Sequence, residues 1–203
     1  RVSLKPGPGM ELVADRIQRQ WSIWYPKGAS NLLEKSVANT ARMPFLQEYF
    51  QPAYFVYIVR NGYAVSEGIR RKADLDKWKT PVYRTRYPIQ LCAEQWRISD
   101  EQALRDSAEI NRFLQVYYED LVTDPETVLF RITDFLGLEP LPSEVFSRFW
   151  NIHGMSSRIR DMNAESLAAL SREDIQVIEE VAGESLSLHG YPSPASRASR
   201  GSG

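Results

Sequence analysis

One arginine stands at the end of the most strand-like run in the chain. Tyr54-Phe55-Val56-Tyr57-Ile58-Val59 is β-branched or aromatic throughout, and Arg60-Asn61-Gly62 closes it. Ligands of open α/β sheets bind at the carboxyl edge of the strands. A guanidinium at that edge can hold a phosphate through two parallel hydrogen bonds. Helix-start amides from Tyr63 to Ser66 would add donors for the same anion. The plainer alternative is a surface arginine satisfied by a salt bridge.

Other residues carry chemistry with less support. Glu34-Lys35 follows the apolar pair Leu32-Leu33. A carboxylate there could take a proton from an alcohol, and the ammonium could stabilise charge on a departing oxygen. A surface ion pair is the ordinary reading of the same two residues. His153 and Asp161 could form a base and its partner, although a histidine in a Gly-containing loop is usually a surface residue. Ser156-Ser157-Arg158-Ile159-Arg160 is small, polar and basic, suited to closing on a phosphate or to an exposed connector. Trp96, Trp150 and Tyr117-Tyr118 could stack on an adenine, though aromatics at this density are more often core. Pro26-Lys27-Gly28-Ala29-Ser30 has some character of a phosphate loop but lacks the glycine spacing and a preceding strand.

The elements that must position these groups follow from periodicity and punctuation. Residues 1–9, with Pro6, Gly7, Pro8 and Gly9, read as a flexible lead-in. Leu12, Val13, Ile17 and Trp21 suggest a helix over 10–21, and Met43, Leu46, Gln47 and Phe50 another over 40–50. The 54–59 run is continuous rather than alternating, which predicts a strand buried on both faces of a parallel sheet. A helix should start near Tyr63 and run towards Trp78, with more helix between 89 and 110. Phe113 to Tyr118 is the second strand, and Glu119 to Thr123 reads as a crossing. Asp124-Pro125 opens a helix with a capping acid and a proline whose missing donor costs nothing. Leu129, Ile132 and Leu136, with Val128 and Phe135 beside them, mark its buried stripe, and Gly137 should stop it in a left-handed conformation. Residues 138–165 are irregular. A last helix runs from Arg172 to Leu188, capped by Ser171 with Asp174 completing a capping-box pattern, and Ile175, Ile178, Val181 and Leu186 facing a core. The chain from 10 to 190 reads as one α/β domain, and residues 191–203 as a disordered tail.

Composition bounds the function. The 203 residues hold 25 Lys and Arg against 26 Asp and Glu, with 43% hydrophobic residues, which fits a soluble domain with a sizeable core. Two His and one Cys exclude a zinc finger, an iron–sulfur ferredoxin and a disulfide scaffold. Cys92 has no intrachain partner, which points to a reducing, cytoplasmic setting. No apolar run reaches the length of about 18 residues that a membrane span needs. Residues 60–86 carry eight basic against three acidic residues, enough to draw in a small polyanion. No nucleic-acid motif accompanies them, so no nucleic-acid partner is expected.

Several of these segments, in this order, resemble the sulfotransferase family, especially its bacterial members. Arg60-Asn61-Gly62-Tyr63-Ala64-Val65 is similar to the family's 3'-phosphate motif, which usually reads Arg-Asn-Pro before a helix. Tyr118-Glu119-Asp120-Leu121, Asp124-Pro125-Glu126 and Phe135-Leu136-Gly137-Leu138 resemble its later strand, loop and helix. Glu34-Lys35-Ser36 ahead of Phe45-Leu46 and Phe50 resembles the segment before the first of these motifs. Met162-Asn163, Ser166-Leu167, Leu170-Ser171 and Gly190-Tyr191 resemble the carboxyl-terminal stretch.

The resemblance implies a three-layer α/β, P-loop-kinase-like fold with a mostly parallel central sheet. It implies the donor 3'-phosphoadenosine 5'-phosphosulfate (PAPS), the product 3'-phosphoadenosine 5'-phosphate (PAP), and a small-molecule or carbohydrate acceptor with a hydroxyl or amine. No metal is required by that chemistry. Arg60 would hold the 3'-phosphate, Tyr118 would lie near the nucleotide, and Arg158 and Arg160 would cover the phosphate. The family's companion serine falls at Gly68 here, with Ser66 as the nearby substitute. Glu119 would brace the loop. Glu34 and Lys35 would line the acceptor side, with Glu34 or His153 as base.

The family's front unit, a strand followed by a Pro-Lys/Arg-Ser-Gly-Thr-Thr loop that binds the 5'-phosphosulfate, does not occur before residue 20. Losing one such donor alone can cost about 3 kcal/mol of transition-state stabilisation. Two readings follow: an amino-terminally shortened sulfotransferase, or a non-catalytic sulfotransferase-like domain that binds the nucleotide or serves structurally. A sheet lacking its first strand would also expose an edge through which two copies could pair. A small nucleotide kinase shares the fold, but no Walker loop is present.

Overall fold

A computed structural model describes residues 3–73, 86–152 and 155–194. Two strands paired side by side form the site-bearing sheet: β1 (Phe55–Val59) and β2 (Phe113–Tyr117). They run parallel, and the helices between them are α3 (Gly62–Lys72) and α4 (Ile89–Ser107). A parallel pair requires such a crossover. Ahead of β1 lie α1 (Met10–Ser22), a 3-10 turn (Val37–Ala41) and α2 (Met43–Tyr49). After β2 come α5 (Tyr118–Thr123), α6 (Pro125–Leu136), α7 (Glu144–Ser147), the hairpin β3 (Trp150–Ile152) and β4 (Met155–Ser157), then α8 (Asn163–Ala168) and α9 (Arg172–Leu188).

The chain divides into two compact units, Arg1–Phe55 with Glu101–Phe113, and Val56–Asp100 with Leu114–Gly203. In the first, Ala14 of α1 packs with Phe45 and Leu46 of α2, and Trp21, Tyr49 and Phe50 close around them. Residues 3–9 are tied to this unit: the Leu4 N–H donates to the Ala41 carbonyl at 2.7 Å, and the Tyr49 hydroxyl to the Gly7 carbonyl at 3.3 Å. In the second unit, Tyr63 of α3, Ala93 and Trp96 of α4, and Ile175, Ile178, Ala182 and Leu186 of α9 form the core.

Polar contacts fix α3 against α9. The Tyr63 hydroxyl donates to Glu179 at 3.0 Å. Arg70 holds both oxygens of Asp174, at 2.6 and 3.1 Å, while its Nε donates to Glu67 at 2.7 Å. Arg70 and Glu67 are both buried, so this cluster persists only because each charge finds a partner. Asp174 also accepts from the Ser171 N–H, and the Ser171 hydroxyl accepts from the Asp174 N–H, giving the expected capping box at the start of α9.

Most expected elements are present, with four differences. Residues 119–123, expected as a crossing, form α5 together with Tyr118, which was expected to end the strand. The irregular stretch contains a hairpin with Trp150 opposite Ser157, and α8. β1 is not covered on both faces: Val59 is buried but Ile58 is 49% exposed. In α6 the buried positions are Val128 and Thr133, while Leu129, Ile132 and Leu136 are only half-buried. Gly137 ends α6 at φ 66°, and the Leu138 N–H turns back to the Thr133 carbonyl at 2.9 Å. No helix among the described residues is long and apolar enough to cross a membrane.

Candidate functional site

β1 ends by delivering Arg60 and Asn61 to the start of α3. Asn61 is the cap: its Oδ1 accepts from the Tyr63 and Ala64 N–H groups at 3.0 and 3.3 Å, and its carbonyl from the Val65 N–H at 2.9 Å. These amides were expected to face an anion. They are instead satisfied within the chain, because asparagine at an N-cap takes the donors that a helix start leaves open.

Arg60 is half-buried and held on two sides. Its Nε donates to Asn163 Oδ1 at 2.8 Å, and its guanidinium lies 4.4 Å from the centre of the Tyr118 ring. That stacking adds a cation–π attraction of roughly 0.5–1 kcal/mol. Neither Nη of Arg60 has a hydrogen-bond or ion-pair partner among the described residues. The head of the side chain is therefore oriented but not neutralised, the arrangement a bound phosphate needs.

Tyr118 begins α5 directly after β2 and serves with both its ring and its hydroxyl. The hydroxyl donates to the Arg160 carbonyl and accepts from the Met162 N–H, each at 3.0 Å. Tyr118 thus clasps the loop carrying Arg158 and Arg160. The Arg160 side chain is exposed and has no partner among the described residues, whereas Arg158 stacks on Phe149 at 4.4 Å. Asp161 Oδ1 accepts from the Asn163 N–H at 2.7 Å.

Glu119 lies behind this arrangement. It accepts from the Asn61 N–H at 3.0 Å, from Asn163 Nδ2 at 2.7 Å and from the Tyr191 hydroxyl at 2.9 Å. Burial first, and then the Glu119 carboxylate, push the Tyr191 phenol well above its ordinary value. Tyr191 therefore stays a neutral donor.

The other sequence candidates fall elsewhere. Ser66 is fully buried and donates to the Gly62 carbonyl at 2.7 Å, so its proton serves the helix rather than an open ligand surface. Trp96 is buried in the core against Gly62, and Trp150 lies under the Arg148 guanidinium at 5.3 Å. Glu34 and Lys35 belong to the first unit and are exposed; Glu34 accepts a hydrogen bond from Asn39 Nδ2. Pro26–Ser30 is an exposed turn closed by the Ala29 N–H on the Pro26 carbonyl at 3.2 Å. His153 lies outside the described residues.

Sequence reasoning missed the residues that complete the site. Asn163 sits 103 positions from Arg60, and Tyr191 sits 72 from Glu119. It also missed a buried polar group: Asp100 Oδ1 accepts from the Tyr57 hydroxyl at 2.7 Å and meets His189 Nε2 at 2.9 Å. Only the N-cap type of Asn61, on the strand–helix boundary, carried a local signal that could have been read.

The sequence matches a family model described as "Sulfotransferase family" over residues 10–143. Two solved structures are similar to this chain. A sulfotransferase domain from the curacin biosynthetic pathway has a TM-score of 0.59 at 20% identity, covering 91% of this chain and 69% of that one. A sulfotransferase domain from the Synechococcus PCC 7002 olefin synthase has a TM-score of 0.54 at 23% identity. That likeness covers 84% of this chain and 63% of the other. At these identities the structural likeness establishes the fold.

Proposed function

The chain belongs to the sulfotransferase family, and on that premise we propose that it takes PAPS as donor and a hydroxyl or amine compound as acceptor. The observation that carries this reading is Arg60: fixed by Asn163 and Tyr118, with both Nη groups unpaired among the described residues. That geometry suits the 3'-phosphate, which distinguishes PAPS and PAP from ordinary adenylates. Arg160, exposed on the loop clasped by Tyr118, would add a second positive charge over the same anion.

The donor, when bound, supplies the sulfuryl group. The chain's own contribution is binding, orientation and proton removal. Arg60 and Tyr118 hold the adenosine end. Glu34, the carboxylate beside exposed Lys35, is the group proposed to take the acceptor's proton as the acceptor's oxygen or nitrogen bonds to sulfur and the bond from sulfur to the donor's 5'-phosphate oxygen breaks, PAP leaving with that electron pair. The Lys35 ammonium would offset the negative charge that develops on that departing oxygen. The acceptor is a small molecule or carbohydrate, and the isolated Cys92 favours a reducing, cytoplasmic setting.

Turnover of sulfur-labelled PAPS with a panel of alcohols, phenols, sugars and amines tests the proposal. Label appearing in an acceptor, with stoichiometric PAP, is the expected result. A folded chain that binds PAP and transfers no label to any acceptor supports the second reading, a non-catalytic nucleotide-binding domain.

A further inference from the structure

The hydrogen bonds around Arg60 converge on a carboxylate that sulfuryl transfer does not use. Glu119 joins four segments remote in sequence: the end of β1 through Asn61, the start of α5 through its own position, the start of α8 through Asn163, and the segment after α9 through Tyr191. A carboxylate can only accept. It therefore dictates the orientation of the Asn163 amide. The NH2 group must face Glu119, which leaves Oδ1 to accept from Arg60 Nε at 2.8 Å. The reverse orientation would set an oxygen against the carboxylate and a donor against the guanidinium.

We infer that Glu119 is a positioning residue for the 3'-phosphate site: by orienting Asn163 and anchoring the Asn61 main chain, it presents Arg60 to the phosphate without touching the ligand. This rests on the reading of Arg60 as the anion-binding group. A carboxylate near a phosphate would ordinarily repel it. Here three donors, from Asn61, Asn163 and Tyr191, are spent on its two oxygens, which disperses its negative charge. Tyr118 supplies the complementary restraint, with its ring against Arg60 and its hydroxyl on the 160–162 backbone.

The test compares PAP with 5'-AMP, which lacks the 3'-phosphate, by calorimetric titration of the full chain. In Glu119→Ala the preference for PAP should fall about tenfold, the size of one lost charge-assisted hydrogen bond, while 5'-AMP affinity stays unchanged. Glu119→Gln should keep the preference within about threefold, because its oxygen still accepts from Asn61 and Asn163, and the Tyr191 hydroxyl can turn to accept from its NH2. Should Glu119→Ala not fold, Asn163→Ala cuts the same relay at its next link, and the same loss is expected there. A folded alanine variant at either position with wild-type preference overturns the inference. So does a Glu119→Gln variant as impaired as Glu119→Ala, since charge rather than amide orientation would then govern. A wild-type chain that does not prefer PAP overturns the anion-site reading itself, and is thereby distinguished from failure of the relay alone.

Discussion

Gly62 is the position where a single added carbon should be felt most. A Cβ built there would lie 2.7 Å from Cε3 and Cζ3 of Trp96 and 2.9 Å from Cδ2 of Leu186. To restore ordinary contact at 3.4 Å the indole must retreat by about 0.7 Å. It sits in the core with Ala93, Ile178 and Ala182, whose packing resists that shift. Two effects oppose each other in Gly62→Ala. Alanine gains up to about 1 kcal/mol in helix propensity, less at a first helical position. Overpacking costs about 1–3 kcal/mol. The clash should win, leaving a net loss of roughly 1 kcal/mol, or about 2–4 °C in Tm for a domain of this size. Urea unfolding of Gly62→Ala, Trp96→Leu and the double variant measures the coupling. The alanine should cost about 1 kcal/mol with Trp96 present and nothing, or less than nothing, with leucine there. A Gly62→Ala variant more stable than wild type in the presence of Trp96 refutes the argument. The same contact explains why glycine stands where the 3'-phosphate motif usually has proline: proline also carries a Cβ, and here that space belongs to Trp96.

Two further perturbations follow from the second unit. Asp174→Asn should cost about 3 kcal/mol at neutral pH, because it leaves the buried Arg70 with Glu67 alone. Partial burial works to raise the Asp174 carboxyl, but the Arg70 and Ser171 bonds outweigh it and hold it below its ordinary 3.8. Its contribution is thus complete above that pH and lost as pH falls through the lowered folded value. Acid unfolding should show wild type losing this increment there and Asp174→Asn not; parallel pH profiles would contradict the assignment. Burial pushes the fully buried Cys92 thiol up to about 11, so at pH 8 it should alkylate only as fast as the chain opens. Rapid labelling of the native chain would show that the thiol is reachable.

The legible parts of the sequence were those with local causes. The 172–188 helix announced itself through Ser171, Asp174 and the Ile175, Ile178, Leu186 period, and α6 through Asp124-Pro125 and Gly137. Arg60 is legible as a candidate because a strand end is a local feature. What stayed hidden depends on pairings between distant segments. Nothing near Asn163 marks it as the partner of Arg60, and the family resemblance gives Glu119 only as a brace for the loop, without its distant partners Asn61, Asn163 and Tyr191. His153 stands out only as one of two histidines, while His189, at the end of a helix, is the one set against the buried Asp100. The expectation of free helix-start amides failed for a reason the sequence did contain, the capping residue type of Asn61.

The most direct test of the account is calorimetric titration of this chain with PAP, with 5'-AMP as control, repeated on Arg60→Ala. PAP should bind selectively, and the variant should lose that selectivity while remaining folded and retaining its 5'-AMP affinity. Equal binding of PAP by wild type and Arg60→Ala, or no binding by a demonstrably folded wild-type chain, would contradict the assignment of Arg60 to the 3'-phosphate.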